Sequence, residues 1–421
     1  MDKLVIQGGR PLNGSIRVSG SKNAVLPMMA AALLAEGRYT VENVPMLRDV
    51  RTMARLIEGN GVSSLLKDHR LEMENGGCHH FEAPYDLVKT MRASIYVLGP
   101  LLSRYGRARV SLPGGCAWGP RPVNLHIEGL RRLGASIEID GGYIVARAEK
   151  LRGAHITFDR PSVGATGNII LAAVLAEGRT LIENAAREPE IGALCGFLNR
   201  MGARISGSGT GRIEIHGVDR LKPAEDRVIP DRIEAGTYLA AAHLTGGTLE
   251  LTGVEPSHLT AVIDKLRESG ASMEEGDGRI RLESKGAILP THVTTSEFPG
   301  FPTDMQAQWL ALMSLAKGSS VVTDTIFLDR FTHVAELQRL GADITLDHNV
   351  CVVRGVEHLS GAHVMSTDLR ASASLVMAGL VARGRTDISR VYHLDRGYEN
   401  LEVKLQSLGA DIRRDQEKLV T

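Results

Sequence analysis

The chain has 421 residues and equal numbers of basic and acidic side chains, 49 of each. A protein without net charge has no global field to hold nucleic acid or an anionic membrane, and 4% aromatic residues leave few platforms for base stacking. Residues 1–6 lack a signal-peptide pattern, and the longest apolar run, 24–35, is too short to span a bilayer. We therefore expect a cytoplasmic protein, with no nucleic-acid and no membrane partner.

An Ala-rich apolar helix followed by Gly and an alternating strand recurs six times, about every 69 residues. A helix that is apolar on every side is predicted to be buried. The six helices end before these glycines: Gly37, Gly106, Gly178, Gly247, Gly318 and Gly384.

A second, more charged helix recurs with the same period and is also closed by Gly, which five times precedes Ala. Gly after a helix is the usual left-handed cap, because other residues are strained there. Each unit is predicted as helix, strand, loop, helix, strand and a further strand. The capping glycines are Gly61, Gly134, Gly202, Gly270, Gly341 and Gly409.

Six units with buried helices predict an α/β fold in which sheets enclose helices, an inside-out α/β barrel. A solenoid is the alternative, but the last copy is as complete as the first and so does not look like a capping repeat. We predict two domains of three units each, 21–229 and 1–20 with 230–421. The strand expected before residue 21 is assigned to the second domain, and Pro223 and Pro230 bracket the other boundary.

Unusual polar residues collect at the starts of the buried helices and in the loops after the following strands. Helix N-termini carry free N–H groups and attract anions. Repeat symmetry would place several cations on one edge of each domain, which predicts a small, multiply anionic substrate held between the two domains. These cations are Lys22, Arg92, Arg121, Arg330, Arg370 and Arg396.

Simpler interpretations stay open for individual residues. The adjacent pairs Asp231–Arg232 and Asp329–Arg330 could be ordinary surface ion pairs, which contribute little. Asp304 stands at a helix start, where a carboxylate commonly caps the backbone.

Cys116 lies in a loop rich in Gly and Pro, residues 112–122, with Arg121 five positions later. An exposed thiol beside a cation is a candidate reactive group. Cys78 precedes two His residues, but no second ligand cluster stands at zinc spacing, so no metal is expected. Cys195 and Cys351 lie in apolar segments and are expected in the core.

Several separated segments together resemble the enolpyruvyl transferase family, in particular its UDP-N-acetylglucosamine 1-carboxyvinyltransferase branch. The resemblance covers essentially the whole chain. The segments are SKNA at 21–24, PGGC at 113–116, RPV at 121–123, PSVGAT at 161–166, ENAAREP at 183–189, PDRIE at 230–234, FPTDMQ at 301–306, DLRA at 368–371 and DRGY at 395–398.

The resemblance implies transfer of enolpyruvyl from phosphoenolpyruvate to the 3-hydroxyl of UDP-N-acetylglucosamine, with release of phosphate through a tetrahedral intermediate. This is the first committed step of peptidoglycan synthesis. The related enzyme that makes 5-enolpyruvylshikimate 3-phosphate shares the six-unit fold and is the alternative, although it is not known for this Cys loop. A catalytically inactive nucleotide-sugar-binding protein is a further alternative.

The resemblance also implies residue roles. Cys116 would be the general acid and could form a covalent adduct, and Asp304 would act on the sugar hydroxyl. Lys22, Arg121 and Arg396 would bind phosphate, Arg330 and Arg370 the carboxylate, and Asn23 would lie near the reacting centre. The implied UDP-sugar contacts are Arg92, Arg121, Pro122, Val123, Asn124, Leu125, Ser162, Val163, Gly164 and Ile326.

No cofactor and no metal are implied, and a monomer is expected although the sequence leaves the oligomeric state open. Two residues depart from the commoner family pattern: Asn124 stands where Asp is usual, and Trp118 where a smaller aliphatic residue is usual. Because Cys116 is retained, the resemblance implies sensitivity to the epoxide antibiotic fosfomycin.

Overall fold

The computed structural model describes residues 2–112 and 123–416. The chain divides into two units, which we call the continuous unit, Gly20–Ile229, and the split unit, Met1–Ser19 with Pro230–Thr421. Each unit has its own hydrophobic core. No helix in the described ranges is long and apolar enough to cross a membrane.

The described strands are short, and most have one buried and one exposed face. In chain order they are β1 Asp2–Gln7, β2 Asn13–Arg17, β3 Gly37–Glu42, β4 Val62–Lys67, β5 Arg70–Asn75, β6 Glu82–Ala83, β7 Arg107–Ser111, β8 Ser136–Asp140, β9 Tyr143–Arg147, β10 His155–Thr157, β11 Arg179–Glu183, β12 Arg204–Ser206, β13 Arg212–His216, β14 Glu225–Arg227, β15 Thr248–Thr252, β16 Ala271–Gly276, β17 Arg279–Ser284, β18 Val293–Thr294, β19 Ser319–Thr323, β20 Asp343–Asp347, β21 Val350–Arg354, β22 His363–Met365, β23 Arg385–Ser389 and β24 Asp411–Gln416.

The described helices alternate between buried and half-exposed elements. In chain order they are α1 Lys22–Ala31, α2 Arg48–Gly59, α3 Tyr85–Val88, α4 Leu98–Tyr105, α5 Asn124–Arg132, α6 Val163–Ala173, α7 Pro189–Arg200, α8 Arg232–Leu244, α9 Thr260–Glu268, α10 Gln306–Met313, α11 Val334–Arg339, α12 Ser372–Val381 and α13 Leu401–Ser407. Short 3-10 turns add Ala32–Leu34, Arg92–Val97, Pro256–His258, Thr303–Met305 and Val391–Arg396.

The strands form six four-stranded sheets that share one pairing pattern. In each sheet a short edge strand pairs in parallel with its neighbour, and the remaining pairings are antiparallel. The strand orders are β14-β3-β5-β4, β6-β7-β9-β8 and β10-β11-β13-β12 in the continuous unit, and β16-β17-β15-β2, β18-β19-β21-β20 and β22-β23-β1-β24 in the split unit.

Each sheet covers one of the predicted apolar helices. In α10 every residue is buried, and in α8 every residue except Arg232 is buried. Sheets therefore surround helices within each unit, as the apolar pattern predicted, because a helix without a polar face has to be covered on all sides. The N-terminal segment was expected to be one strand but contains two, β1 and β2, which pair with strands of the split unit.

The second helix of each repeat is amphipathic and ends at the predicted glycine. All six capping glycines have positive φ, between 93° at Gly61 and 104° at Gly270. This conformation reverses the chain into the next strand, so the starts of the buried helices recur at the same phase of every repeat.

Candidate functional site

In the continuous unit, Lys22 is the first residue of α1 and is buried against an acidic partner. Its Nζ lies 3.3 Å from Oδ2 of Asp49, which lies in the first turn of α2. A cation at a helix N-terminus opposes the helix dipole, and a buried charge needs a partner. Asp49 supplies that partner and fixes the position of the ammonium group. Asn23, the next residue, is half-buried.

The start of α6 offers backbone N–H groups in the segment predicted to contact the UDP-sugar. Ser162 caps this helix by accepting a hydrogen bond at Oγ from Ala165 N, at 3.3 Å. Val163 and Gly164 form the first turn, where N–H groups have no intrahelical acceptor. The arrangement is suited to an anion such as a diphosphate.

His126 packs against this helix start. A Cβ added at Gly164 would lie 3.3 Å from the His126 ring, so the contact leaves room for Gly alone unless the ring moves. Asn168 Nδ2 lies 3.0 Å from His126 Nδ1, and Asn168 Oδ1 accepts from Gly99 N at 2.8 Å. Burial, and to a lesser extent the charge of Arg92, lowers the pKa of His126 to about 3, so the imidazole is neutral at physiological pH.

In the split unit, Asp304 and Asp368 flank the guanidinium of Arg330. Arg330 donates from Nη1 to Asp304 Oδ1 at 2.6 Å and from Nη2 to Asp368 Oδ1 at 3.3 Å. Burial alone would lower the pKa of Arg330, but the two carboxylates more than offset it and raise the pKa above its usual value. Asp304 lies in the 3-10 turn before α10, and the N-cap positions of that turn and of α10 are Pro302 and Met305, so Asp304 does not occupy the predicted cap position. Arg330 is buried, which also excludes the interpretation as a surface pair with Asp329.

Arg370 is 1% exposed and held by two acceptors. Its Nη2 donates to Asp231 Oδ2 at 2.8 Å, and its Nη1 donates to the carbonyl of Gly397 at 2.9 Å. The other oxygen of Asp231 caps α8 by accepting from the backbone N–H groups of residues 233 and 234. Asp231 is therefore a buried link between two helix starts, and its interpretation as a surface pair with Arg232 was wrong.

Most of the remaining predicted residues in the described ranges lie at helix or turn ends, and they differ in exposure. Arg396 ends a 3-10 turn and is half-buried, while Arg92 begins another and is exposed. Asn124 is the exposed first residue of α5, Leu125 behind it is buried, and Val123 and Ile326 are half-buried. Cys116, Trp118, Arg121 and Pro122 lie outside the described residues.

Cys195 and Cys351 lie in the cores, as predicted, and burial raises the pKa of each thiol to about 12. Burial also raises the pKa of Cys78. In the described ranges no group of three or more His, Cys, Asp or Glu side chains is arranged to hold a metal ion.

Sequence reasoning identified the cations but not their acidic partners. Asp49, Asp324 and His126 were not singled out, Asp231 was paired with Arg232 instead of Arg370, and Asp368 appeared in a motif without an assigned partner. Asp324 could have been found from the sequence, because it directly follows a strand, and the loops after the strands of the other repeats contain candidate residues. No local signal pointed to His126.

A family model described as EPSP synthase (3-phosphoshikimate 1-carboxyvinyltransferase) matches residues 6–405. A UDP-N-acetylglucosamine 1-carboxyvinyltransferase from Chloroherpeton thalassium is 56% identical over 98% of this chain and 97% of the relative. The chain belongs to the enolpyruvyl transferase family. A second relative of the same name, from Myxococcus xanthus, is 54% identical over 99% of this chain and its own entire length. The predicted family is thus confirmed.

Solved structures agree on the fold. The enolpyruvyl transferase NikO from Streptomyces tendae has a TM-score of 0.89 and 26% identity, covering 99% of both chains. EPSP synthase from Acinetobacter baumannii has a TM-score of 0.75 at 20% identity over 99% of this chain and 100% of that one, which supports the fold alone. The predicted α/β class with buried helices surrounded by sheets is confirmed.

Proposed function

We propose that this enolpyruvyl transferase is a UDP-N-acetylglucosamine 1-carboxyvinyltransferase. It transfers enolpyruvyl from phosphoenolpyruvate to the 3-hydroxyl of UDP-N-acetylglucosamine and releases phosphate, the first committed step of peptidoglycan synthesis. The observation that carries the proposal is the identity of 54–56% over nearly the whole chain to relatives of that name. The buried ion pairs described above supply groups that this chemistry requires.

Phosphoenolpyruvate carries a phosphate and a carboxylate, and the chain offers cations for both. We assign Lys22, Arg121 and Arg396 to the phosphate, and Arg330 and Arg370 to the carboxylate. Arg forks suit both anions because they donate two parallel hydrogen bonds. Asp49, Asp231 and Asp368 hold three of these cations in place, which reduces the ordering cost when the substrate binds.

In the addition step, the sugar 3-hydroxyl oxygen bonds to C2 of phosphoenolpyruvate while the methylene carbon C3 gains a proton. Asp304 accepts the hydroxyl proton, and the contact with Arg330 Nη1 at 2.6 Å favours the ionised carboxylate needed for that role. Cys116 donates the proton to C3, since a thiol of pKa about 8.5 is largely protonated at neutral pH. Asn23 is assigned to the surroundings of the reacting centre.

In the elimination step, the bond between C2 and the phosphate oxygen breaks and C3 returns one proton to the Cys116 thiolate, which restores the double bond and the thiol. The leaving phosphate takes up the hydroxyl proton held by Asp304, which restores that carboxylate. Phosphate leaves with the electron pair of the broken bond, and Lys22, Arg121 and Arg396 stabilise its charge. The proton and electron balance closes without a metal or a redox cofactor.

For the UDP-sugar, we assign Arg92, Val123, Ile326 and the first turn of α6 to binding. That turn presents backbone N–H groups to the diphosphate. His126 behind Gly164 is neutral, so it supports the turn without adding charge. The remaining assigned contacts are Arg121, Pro122, Asn124, Leu125, Ser162, Val163 and Gly164.

The test is phosphate release from phosphoenolpyruvate, with and without UDP-N-acetylglucosamine, by the wild type and two Cys variants. We expect release to need both substrates and to fall at least a hundredfold in Cys116→Ala, because the acid is removed. Cys351→Ala, which removes a buried strand thiol, should keep the wild-type rate. An inactive wild type, with either this acceptor or shikimate 3-phosphate, would leave a nucleotide-sugar-binding protein.

A further inference from the structure

Asp324 is a fully buried acidic residue that no role assigned above uses. It directly follows β19, a central strand of its sheet, and its side chain has 0% exposure. Asn349 fixes its backbone from the β20–β21 turn: Asp324 N donates to Asn349 O, and Asn349 Nδ2 donates to Asp324 O, both at 2.9 Å. The carboxylate is therefore anchored to the sheet rather than to a movable loop.

Both carboxylate oxygens of Asp324 accept hydrogen bonds. Oδ1 accepts from the Thr295 hydroxyl at 2.8 Å and from the backbone N–H groups of Ile326 and Phe327, each at 2.9 Å. Oδ2 accepts from the Thr303 hydroxyl at 2.7 Å. Four hydrogen bonds compensate for burying the charge, and they also fix the geometry of the donors.

Two of these donors belong to segments with assigned substrate roles. Thr303 immediately precedes Asp304, and its hydroxyl oxygen also lies 3.4 Å from Arg330 Nη1. Ile326 is an assigned UDP-sugar contact. The buried Asp324 carboxylate thus links both Asp304, the assigned proton acceptor, and Ile326, an assigned sugar contact, to the end of β19.

We propose that Asp324 is a positioning residue. Its hydrogen bonds hold Asp304 and the 326–327 segment at a fixed distance from each other, so that both contact the sugar. The inference rests on the proposed function, because it assumes that Asp304 and Ile326 face the sugar acceptor. The hydrogen bond from Thr303 to Asp324 fixes the position of Asp304, the assigned proton acceptor, and therefore affects kcat. The two backbone hydrogen bonds control sugar binding and so affect KM.

Variants of Thr303 separate the first effect from general destabilisation. Thr303→Val removes the hydroxyl and should lower kcat about tenfold or more, with KM for either substrate within about twofold, since small misplacements of a catalytic group cost that much. Thr303→Ser restores the hydroxyl and should recover kcat to within about threefold of wild type. The matched control is Thr386→Val, because the buried Thr386 hydroxyl has no hydrogen-bond partner among the described residues. It should leave the kinetics unchanged.

Asp324→Asn tests both effects. It should lower kcat about as much as Thr303→Val and also raise KM for UDP-N-acetylglucosamine about fivefold or more, while KM for phosphoenolpyruvate stays within about twofold. Loss of folded enzyme would not produce this selective change in KM. The double variant Thr303→Val with Asp324→Asn should have the kcat of Asp324→Asn alone, because both changes break one link.

The inference is overturned if Thr303→Val has wild-type thermal stability and also keeps the wild-type kcat. It is likewise overturned if Thr303→Val lowers kcat but Thr303→Ser does not restore it. If Asp324→Asn does not fold, the comparison between valine and serine at position 303 still decides. An inactive wild type would instead refute the proposed function. A fully active wild type with unaffected variants would refute the positioning role alone.

Discussion

At the scale of single residues, three of the candidate cations, Lys22, Arg330 and Arg370, are buried, and each is held by a carboxylate distant in sequence. Lys22 pairs with Asp49, and Arg370 pairs with Asp231 across 139 positions. The sequence could predict the cations, because they recur at one phase of the repeat. It could not predict the pairings, because a local pattern does not tell which helix starts lie next to each other.

His333 provides a residue-scale prediction on pH dependence. It is fully buried beside Phe331, and burial lowers its pKa to about 3, with a smaller opposing effect of Asp368 and a reinforcing effect of Arg330. The unfolded chain binds this proton near pH 6.5, whereas the folded chain does not. The stability associated with a neutral His333 is therefore complete above about pH 6.5 and is lost as the pH falls towards 3.

We expect His333→Phe to reduce that loss. Between pH 7 and pH 5, the free energy of unfolding should fall by about 2 kcal/mol less in the variant than in the wild type. Neither ring nitrogen of His333 has a hydrogen-bond partner among the described residues, so the phenyl ring sacrifices no described polar contact. Urea titrations at the two pH values measure the difference. Parallel pH dependence in the two proteins would show that His333 takes up its proton equally in both states.

At the scale of helices, one glycine inside α7 and one just after its end have opposite effects on stability. Gly202 ends the helix turn with a φ of 101°, whereas Gly192 lies inside the helix. An added Cβ would meet nothing within 4 Å at either position, so the backbone conformation alone decides the effect of a methyl group.

Gly202→Ala should lower the free energy of unfolding by about 1–2 kcal/mol, because a left-handed residue with a Cβ is strained. Gly192→Ala should raise it by about 0.5–1 kcal/mol, because Ala is the better helix former. Denaturant titrations of both variants against wild type give the two signs in one experiment. Equal signs would contradict the assignment of Gly202 as a left-handed cap.

The sequence predicted the six buried helices well, because an apolar run followed by Gly recurs at a nearly constant spacing along the chain. It did not predict that the 3-10 turn Arg92–Val97 leads into α4, or that two-residue strands such as β6 and β18 complete the sheets. Elements this short carry too few residues for a pattern and are fixed by tertiary pairing.

At the scale of the whole molecule, three sheets are completed by strands from distant parts of the chain. The N-terminal β1 pairs with both β23 and β24, β2 pairs with β15, and β14 pairs with β3. The period of the repeat predicted the number of units, since each unit repeats the same local pattern. Which segment fills the last place of each sheet depends on topology, which a local pattern does not contain.

The identity of the acceptor substrate decides the proposed function, because the fold is shared by enzymes that act on different acceptors. The most direct measurement gives the wild type phosphoenolpyruvate with equal amounts of UDP-N-acetylglucosamine and shikimate 3-phosphate and identifies the product by mass spectrometry. We predict an enolpyruvyl group on the nucleotide sugar, with shikimate 3-phosphate unchanged. Enolpyruvylated shikimate 3-phosphate, with the nucleotide sugar unchanged, would contradict the proposed function.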